Sequence, residues 1–129
     1  MFSGTRPDDL GVKDGRFTPC KPTPNCVSSQ ADSADKEHYI APIAYSGTMR
    51  ELRRAVESMT RATVIREEGN YLYAEYKSAL MGYVDDVELL LDEKARLVQM
   101  RSASRLGRSD FGVNRKRIEE LRTLIGSRR

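Results

Sequence analysis

Two stretches of alternating polarity, Tyr83 to Leu91 and Arg96 to Ala103, constrain the fold more than any other feature of this chain. Successive side chains of a strand point to opposite faces, so alternation with a period of two marks a sheet with one buried side. Asp92 to Ala95 supplies the turn between them. With Leu91 opposite Arg96, Asp86 falls opposite Arg101, Glu88 opposite Gln99 and Asp85 opposite Ser102. Val87, Leu89, Leu91, Val98 and Met100 then form the core side. Asp86, Glu88, Gln99 and Arg101 form the other, with Leu90 and Leu97 near the turn. Opposed charges at such a cross-strand pair contribute roughly 0.2–1 kcal/mol. A slip of one residue would turn every charge into the core, which selects this register.

The flanking segments follow the same reasoning. Tyr39 to Tyr45 reads as a short strand, and Pro42 places it at an edge because proline has no N–H for a ladder. Thr48-Met49-Arg50-Glu51 is a capping box, in which the hydroxyl and the carboxylate satisfy exposed helix N–H groups. Met49, Leu52, Val56 and Met59 recur at helical spacing over residues 49–60. Ala62 to Arg66 and the tyrosine-rich Tyr71 to Ser78 are strands around the turn Glu67-Glu68-Gly69-Asn70. Ser109 or Asp110 caps a last helix whose buried face is Ile118, Leu121, Leu124 and Ile125, ended by Gly126. The order helix, four strands, helix predicts a two-layer α+β fold. It has an antiparallel sheet of four or five strands and two helices on one face.

Residues 1–37 differ in character. Pro7, Pro19, Pro22 and Pro24 alternate with Gly4, Gly11 and Gly15, and no apolar period is sustained. They read as an extended N-terminal arm, ordered around Asn25 to Ser29, and residues 38–129 as a single α+β domain. About 90 residues suffice for one modest core. No run is long and apolar enough to span a membrane, and Met1 to Phe17 has no basic start followed by an apolar stretch. With Met1 as the natural start the expected compartment is cytoplasmic; had an N-terminal segment been removed, it would be exported or membrane-anchored.

Charge is unevenly distributed. Up to Ala95 there are 12 Lys/Arg against 16 Asp/Glu; from Arg96 onward there are 10 against 3. The C-terminal quarter therefore carries a positive field made almost wholly of arginine, suited to planar carboxylate or phosphate pairing. Arg101, Ser102, Ser104, Arg105, Arg108 and Arg115 run from the end of the last strand into the start of the last helix. They are the candidate anion-binding residues, at a helix N-terminus where orphan N–H groups favour negative charge. Asp110 at the same terminus would repel an anion. The competing reading pairs these arginines with Asp85, Asp86 and Glu88 as a structural network. Adjacent Asp85 and Asp86 point to opposite faces, so they are not a general acid–base pair. Asp85 faces the apolar side, where a carboxylate needs a donor.

Cys20 and Cys26 are the only cysteines, with five residues between them. In an exported protein they would form a disulfide tying down the arm; in a reducing cytosol they would be thiols. The spacing is not that of a thioredoxin-like site. His38 is the single histidine, too little on its own for a metal centre or an activated Cys26. No metal site and no cofactor are expected. Tyr71, Tyr73 and Tyr76 read as strand packing, and without a Lys/Arg pattern on that strand nucleic acid is not an expected partner. Dinucleotide, P-loop, zinc-hydrolase and nucleophile-elbow motifs are absent.

Gly4-Thr5-Arg6-Pro7, Leu10-Gly11-Val12, Pro19-Cys20, Pro24-Asn25-Cys26-Val27-Ser28-Ser29, Asp85-Asp86-Val87-Glu88 and the run from Arg101 to Arg117 occur in this order along nearly the whole chain. The sequence thereby resembles the domain of unknown function 1499 family of bacteria and plastids. That resemblance implies an N-terminal export or anchoring segment in many members and carries no biochemical activity with it. The expected function is a non-catalytic binding or accessory module using the Arg-rich loop, with a small anionic ligand or a protein as partner. The alternatives are an enzyme acting on an anionic substrate around Asp85, and a structural subunit that docks through its arm.

Overall fold

The computed structural model describes residues 4–79 and 82–126. Its elements are β1 (Cys26–Ser28), β2 (Ile43–Ala44), α1 (Met49–Glu57), β3 (Ala62–Glu68), β4 (Tyr71–Lys77), β5 (Val84–Asp92), β6 (Leu97–Ser104) and α2 (Val113–Gly126). Two helices and a mostly antiparallel sheet make the fold α+β. The sheet order is β1-β6-β5-β4-β3, and β2 also pairs with β6. The sheet thus has six strands rather than four or five. The extra strand is β1, drawn from the Pro/Gly-rich arm: Cys26, Val27 and Ser28 lie opposite Ala103, Ser102 and Arg101. Three residues are too few to show alternation, so periodicity does not reveal it.

The strand expected over Tyr39 to Tyr45 shrinks to Ile43 and Ala44, opposite Val98 and Leu97. Pro42 has no N–H to extend it. The capping box is present: the Glu51 backbone N–H donates to Thr48 Oγ1 at 3.1 Å, and the Thr48 N–H donates to Glu51 Oε1 at 3.2 Å. The final turn expected through residue 60 is not helical, since α1 closes at Ser58. In α2, Ile118, Leu121 and Ile125 are buried but Leu124 is 38% exposed. Its place on the buried stripe is taken by Asn114, which is 0% exposed. Gly126 still belongs to the helix, and its expected stop lies outside the described residues. No helix among the described residues is long and apolar enough to cross a membrane.

The β5–β6 hairpin keeps its expected faces but not its expected register. Asp92 pairs with Leu97, Leu91 with Val98, Glu88 with Arg101, Asp86 with Ala103 and Asp85 with Ser104. The turn is Glu93 to Arg96 instead of Asp92 to Ala95. Two local forces move it: Asp92 Oδ1 accepts from the Ala95 N–H at 3.0 Å, and Arg96 takes φ 56° to close the loop. Sliding the loop by one residue shifts the pairing by two, which preserves the alternation of faces. Asp86 and Arg101 are therefore not cross-strand partners.

One core cluster joins Leu52 and Val56 of α1, Ile118, Leu121 and Ile125 of α2, and Leu72, Val87, Leu89, Val98 and Met100 of the sheet. A second, smaller cluster forms where the arm meets the opposite side chains of β4: Phe17 packs with Tyr71 and Tyr73, with Leu10 and Leu90 against them. The polar side of the hairpin is thus covered, and Asp86, Glu88 and Arg101 are 2%, 0% and 8% exposed.

Cys20 and Cys26 form a disulfide that ties the arm to the first residue of β1, with a Cα–Cα distance of 5.7 Å. Closing so short a loop stabilises the fold by about 2–3 kcal/mol in the chain-entropy model. Replacing both cysteines by serine is expected to lower the urea unfolding free energy by about that amount. Wild-type protein with reductant should match the variant; equal stability of oxidised wild type and variant would contradict the assignment.

Candidate functional site

The arm-covered face carries a network assembled from alternate residues of three strands. Tyr71, Tyr73 and Glu75 come from β4, Asp86 and Glu88 from β5, and Arg101 from β6, with Arg105 just beyond it. Strand alternation alone brings them to one side. Arg105 grips Asp86 with both arms of its guanidinium, Nη2 to Oδ1 at 2.6 Å and Nε to Oδ2 at 3.2 Å. Its Nη2 also donates to Glu75 Oε2 at 2.8 Å. Tyr73 donates its hydroxyl to Asp86 Oδ1 at 2.5 Å, and Arg6 of the arm donates to Glu75 Oε2 at 2.8 Å.

These contacts set the electrostatics. Hydrogen bonding to Asp86 holds the Arg105 guanidinium above its ordinary pKa, outweighing burial. Burial raises the Tyr73 hydroxyl, and the Asp86 carboxylate raises it further. Burial alone would push Glu75 up, yet the bonds from Arg6, Arg105 and Tyr73 bring it down to about 2.

Glu88 sits in a different balance. Its Oε2 accepts from the Tyr71 hydroxyl at 2.6 Å and from the Gly11 backbone N–H at 2.7 Å, so the arm closes over it. Its Oε1 has no hydrogen-bond partner, and Arg101 Nη1 stands 3.8 Å away. Burial raises its pKa despite Tyr71, Gly11 and Arg101. Arg101 Nε is also buried without a hydrogen-bond partner. Arg101 lines a cleft of about 170 Å³ together with Lys21, Asn25, Asp9, Asp86 and Arg105. The disulfide borders it through Cys26.

The expected anion-binding residues do not converge. Arg101 and Arg105 point under the arm, whereas Ser102 and Ser104 face the other way. Ser102 donates to Asn114 Oδ1 at 2.6 Å, and Asn114 Nδ2 donates to Ser104 Oγ at 2.9 Å. Arg115 donates to the carbonyls of Lys36, Glu37 and Tyr39. Arg108 is exposed. Asp85 receives Arg117 Nη1 at 2.5 Å, with that guanidinium 4.6 Å from the Tyr76 ring centroid. Asp110 accepts from the backbone N–H groups of Gly112 and Asn114 and from Asn114 Nδ2, which occupies the helix terminus with a resident carboxylate.

Glu75 and Lys21 lie outside the sequence motifs, and Arg6, Asn114 and Arg117 lie within them without a role being assigned from the sequence. The pattern Tyr71-x-Tyr73-x-Glu75 does carry a signal, since three polar-tipped side chains at period two must share a face. Asn114 carries none, because a single amide in a first helical turn is ordinary. Among the described residues no group of three or more His, Cys, Asp or Glu is placed to hold a metal ion.

His38 locks the disulfide loop from the side. Nδ1 lies 2.8 Å from Asp35 Oδ2 and Nε2 lies 3.0 Å from the Thr23 carbonyl oxygen. Both partners only accept when Asp35 is ionised, so the arrangement favours the imidazolium, which can donate from both ring nitrogens. Burial opposes this charge, but the Asp35 and Thr23 bonds prevail and raise the His38 pKa.

Two outcomes are expected. In a double-mutant cycle by urea unfolding, Asp86→Ala and Arg105→Ala should each cost about 3–5 kcal/mol and be strongly coupled, because the first leaves the buried guanidinium with Glu75 alone and the second takes the guanidinium from the buried Asp86. Coupling of Asp86 to Arg101 instead would contradict the observed register. In pH-dependent unfolding, the Glu75 contribution, about 2–3 kcal/mol, is present above the usual value of 4.5 and is lost as pH falls toward 2. The His38 contribution is full below 6.5 and is lost as pH rises through its elevated folded value. Glu88 acts oppositely to Glu75, stabilising at low pH and losing that contribution as pH rises. Glu75→Gln should therefore flatten the acid limb and His38→Asn the neutral one, each measured against wild type.

Comparison with known proteins finds no matching curated protein and no matching solved structure. The family described as protein of unknown function, DUF1499, matches residues 16–125, a span from the arm through β1 and the buried network to the last turn of α2. The chain belongs to the DUF1499 family.

Proposed function

We propose that this protein is a non-catalytic binding module that seats a small anionic group, a carboxylate or phosphate oxygen, on Arg101 in the cleft beneath the arm. One observation carries the reading: a guanidinium that is 8% exposed lines a cleft with its Nε unpartnered. Leaving a buried donor unmet costs about 1–3 kcal/mol, which an incoming oxygen recovers. Lys21 and the Asn25 side chain line the same space, while Asp86 is neutralised by Arg105. Of the Arg-rich run, Arg105 and Arg115 are committed to internal acceptors, so the reading narrows to Arg101.

The geometry favours binding over catalysis. Asp85 is engaged by Arg117, and Cys26 is in the disulfide, so neither offers a free acid or nucleophile to the cleft. The sharing of one core cluster by both helices supports their lying together on the sheet face away from the arm, so that the arm covers the cleft.

Thermal unfolding with inorganic phosphate, sulfate, acetate or citrate at fixed ionic strength tests the proposal. Wild type should be stabilised by about 2.7 kcal/mol when one of these anions reaches about 100 times its Kd. Arg101→Met should lose that ligand-dependent rise, whatever its own stability. An equal rise in the variant, or none in wild type with any of the four, would sink the proposal.

A further inference from the structure

Seven large hydrophobic side chains are exposed among the described residues, and four of them, Tyr83, Leu106, Phe111 and Val113, belong to connections at one end of the sheet. The topology explains the clustering. Pairing of Lys77 with Val84 and of Asp85 with Ser104 brings together the end of β4, the start of β5 and the end of β6. Tyr83 immediately precedes β5 and Leu106 follows β6. Phe111 and Val113 open α2, and Val113 borders the same shallow cleft as Ser78, Ala79 and Arg61. The four residues thus come from separate connections that the fold brings to the same end of the sheet.

Phe111 is the most exposed, at 95%. Its backbone is held at φ 53°, a left-handed conformation uncommon for a bulky residue. Asp110 maintains that turn by accepting from the Gly112 and Asn114 N–H groups. The chain thus keeps an aromatic ring in water on an unfavourable backbone, where Asn or Gly would sit more comfortably. Observed strain of this kind points toward a use for the side chain.

The exposed charges around it are mainly basic. Arg61, Lys77, Arg108 and Lys116 are exposed at this end. The acids nearby are largely spent: Asp85 on Arg117, Asp86 and Glu75 on Arg105, and Asp110 on backbone and amide N–H groups. Glu120 is the exposed acid bordering the cleft beside Val113.

We propose that this end of the domain is a peripheral docking surface for a bilayer containing anionic phospholipid, with Phe111 entering the headgroup–acyl boundary. An aromatic ring flanked by basic residues combines the two signals that interfacial binding needs, apolar burial and attraction to anionic lipid. The alternative occupant, a protein, needs a continuous complementary patch of about 800 Å² on each side. Here the apolar groups are interspersed with cations, and Phe111 lacks the packing that would fix its rotamer for a shaped pocket. A fluid interface requires neither. The proposal is independent of the Arg101 cleft, since Arg101 lies beneath the arm and takes no part in it.

Co-sedimentation of the full chain with phosphatidylcholine vesicles, with and without phosphatidylglycerol, tests it. Wild type should bind the anionic vesicles at least about 10-fold more tightly than the neutral ones, and salt should weaken that binding. Phe111→Asn suits the left-handed backbone, so it should fold with an unchanged melting temperature and bind about 10-fold more weakly. Lys77→Glu with Arg108→Glu should lower binding by at least as much. The chain has no tryptophan, so Phe111→Trp supplies a single reporter whose emission should shift to the blue on adding anionic vesicles. Failure of wild type to bind phosphatidylglycerol vesicles, equal binding to neutral vesicles, or undiminished binding by Phe111→Asn would overturn the proposal. So would a concentration-dependent dimer that Phe111→Asn abolishes, which would assign the patch to a second copy of the chain.

Discussion

The pairing of Arg105 with Asp86 is the interaction on which the covered face depends. Both side chains are nearly removed from water, at 7% and 2% exposure, so each would be costly alone. Together they fix where β6 ends, because Arg105 must turn back over the middle of the sheet instead of out into solvent. Through Glu75 and Tyr73 the same guanidinium ties β4 to this junction, and through Glu75 it meets Arg6. Four separate parts of the chain therefore converge on one charge-assisted, forked set of hydrogen bonds.

The arm is a structural component of the same assembly. Leu10 and Phe17 cover the tyrosine rings, the Gly11 N–H caps Glu88, and Gln30 satisfies both the Phe17 N–H and the Gly15 carbonyl. A segment with so many prolines forms little regular structure of its own, so its backbone groups must be met from the domain. The disulfide and the His38 bridge to Thr23 supply that restraint where the arm enters β1. A polar sheet face that would otherwise be wet becomes a second, charged interior.

That interior is incompletely satisfied in one place. Asp86, Glu75 and Arg105 saturate each other, while Glu88 Oε1 and Arg101 Nε do not find hydrogen-bond partners. The contrast separates a network that satisfies itself from a position that keeps unmet hydrogen-bonding groups, although both use the same residue types. At the end of the sheet a different economy applies. There most of the acids, though not Glu120, are engaged internally, and exposed cations stand beside exposed apolar side chains.

Much of the architecture was legible in the residues. Period-two alternation marked β5 and β6 and sorted Val87, Leu89, Val98 and Met100 from Asp86, Glu88 and Arg101, and aromatic richness marked β4. Helical spacing and the Thr48–Glu51 box marked α1. These are local signals, carried by neighbours in the chain, and the family resemblance rested on short motifs of the same kind. The register of the last hairpin was not local enough: whether the turn began at Asp92 or Glu93 was decided by Arg96 adopting a left-handed backbone and by the pairing of both strands along their length. Nor could the run from Arg101 to Arg115 announce its own division. Arg101 and Arg105 went to the arm, Ser102 and Ser104 to Asn114, and Arg115 to the carbonyls after Asp35, because a strand sends alternate side chains to opposite faces and each face met a different distant segment. The sequence by itself determined which residues could be buried and on which side of a strand they stood. Only the tertiary structure decided which charge met which, since a guanidinium pairs with whatever carboxylate the packing brings within about 3 Å and not with the one nearest in the chain.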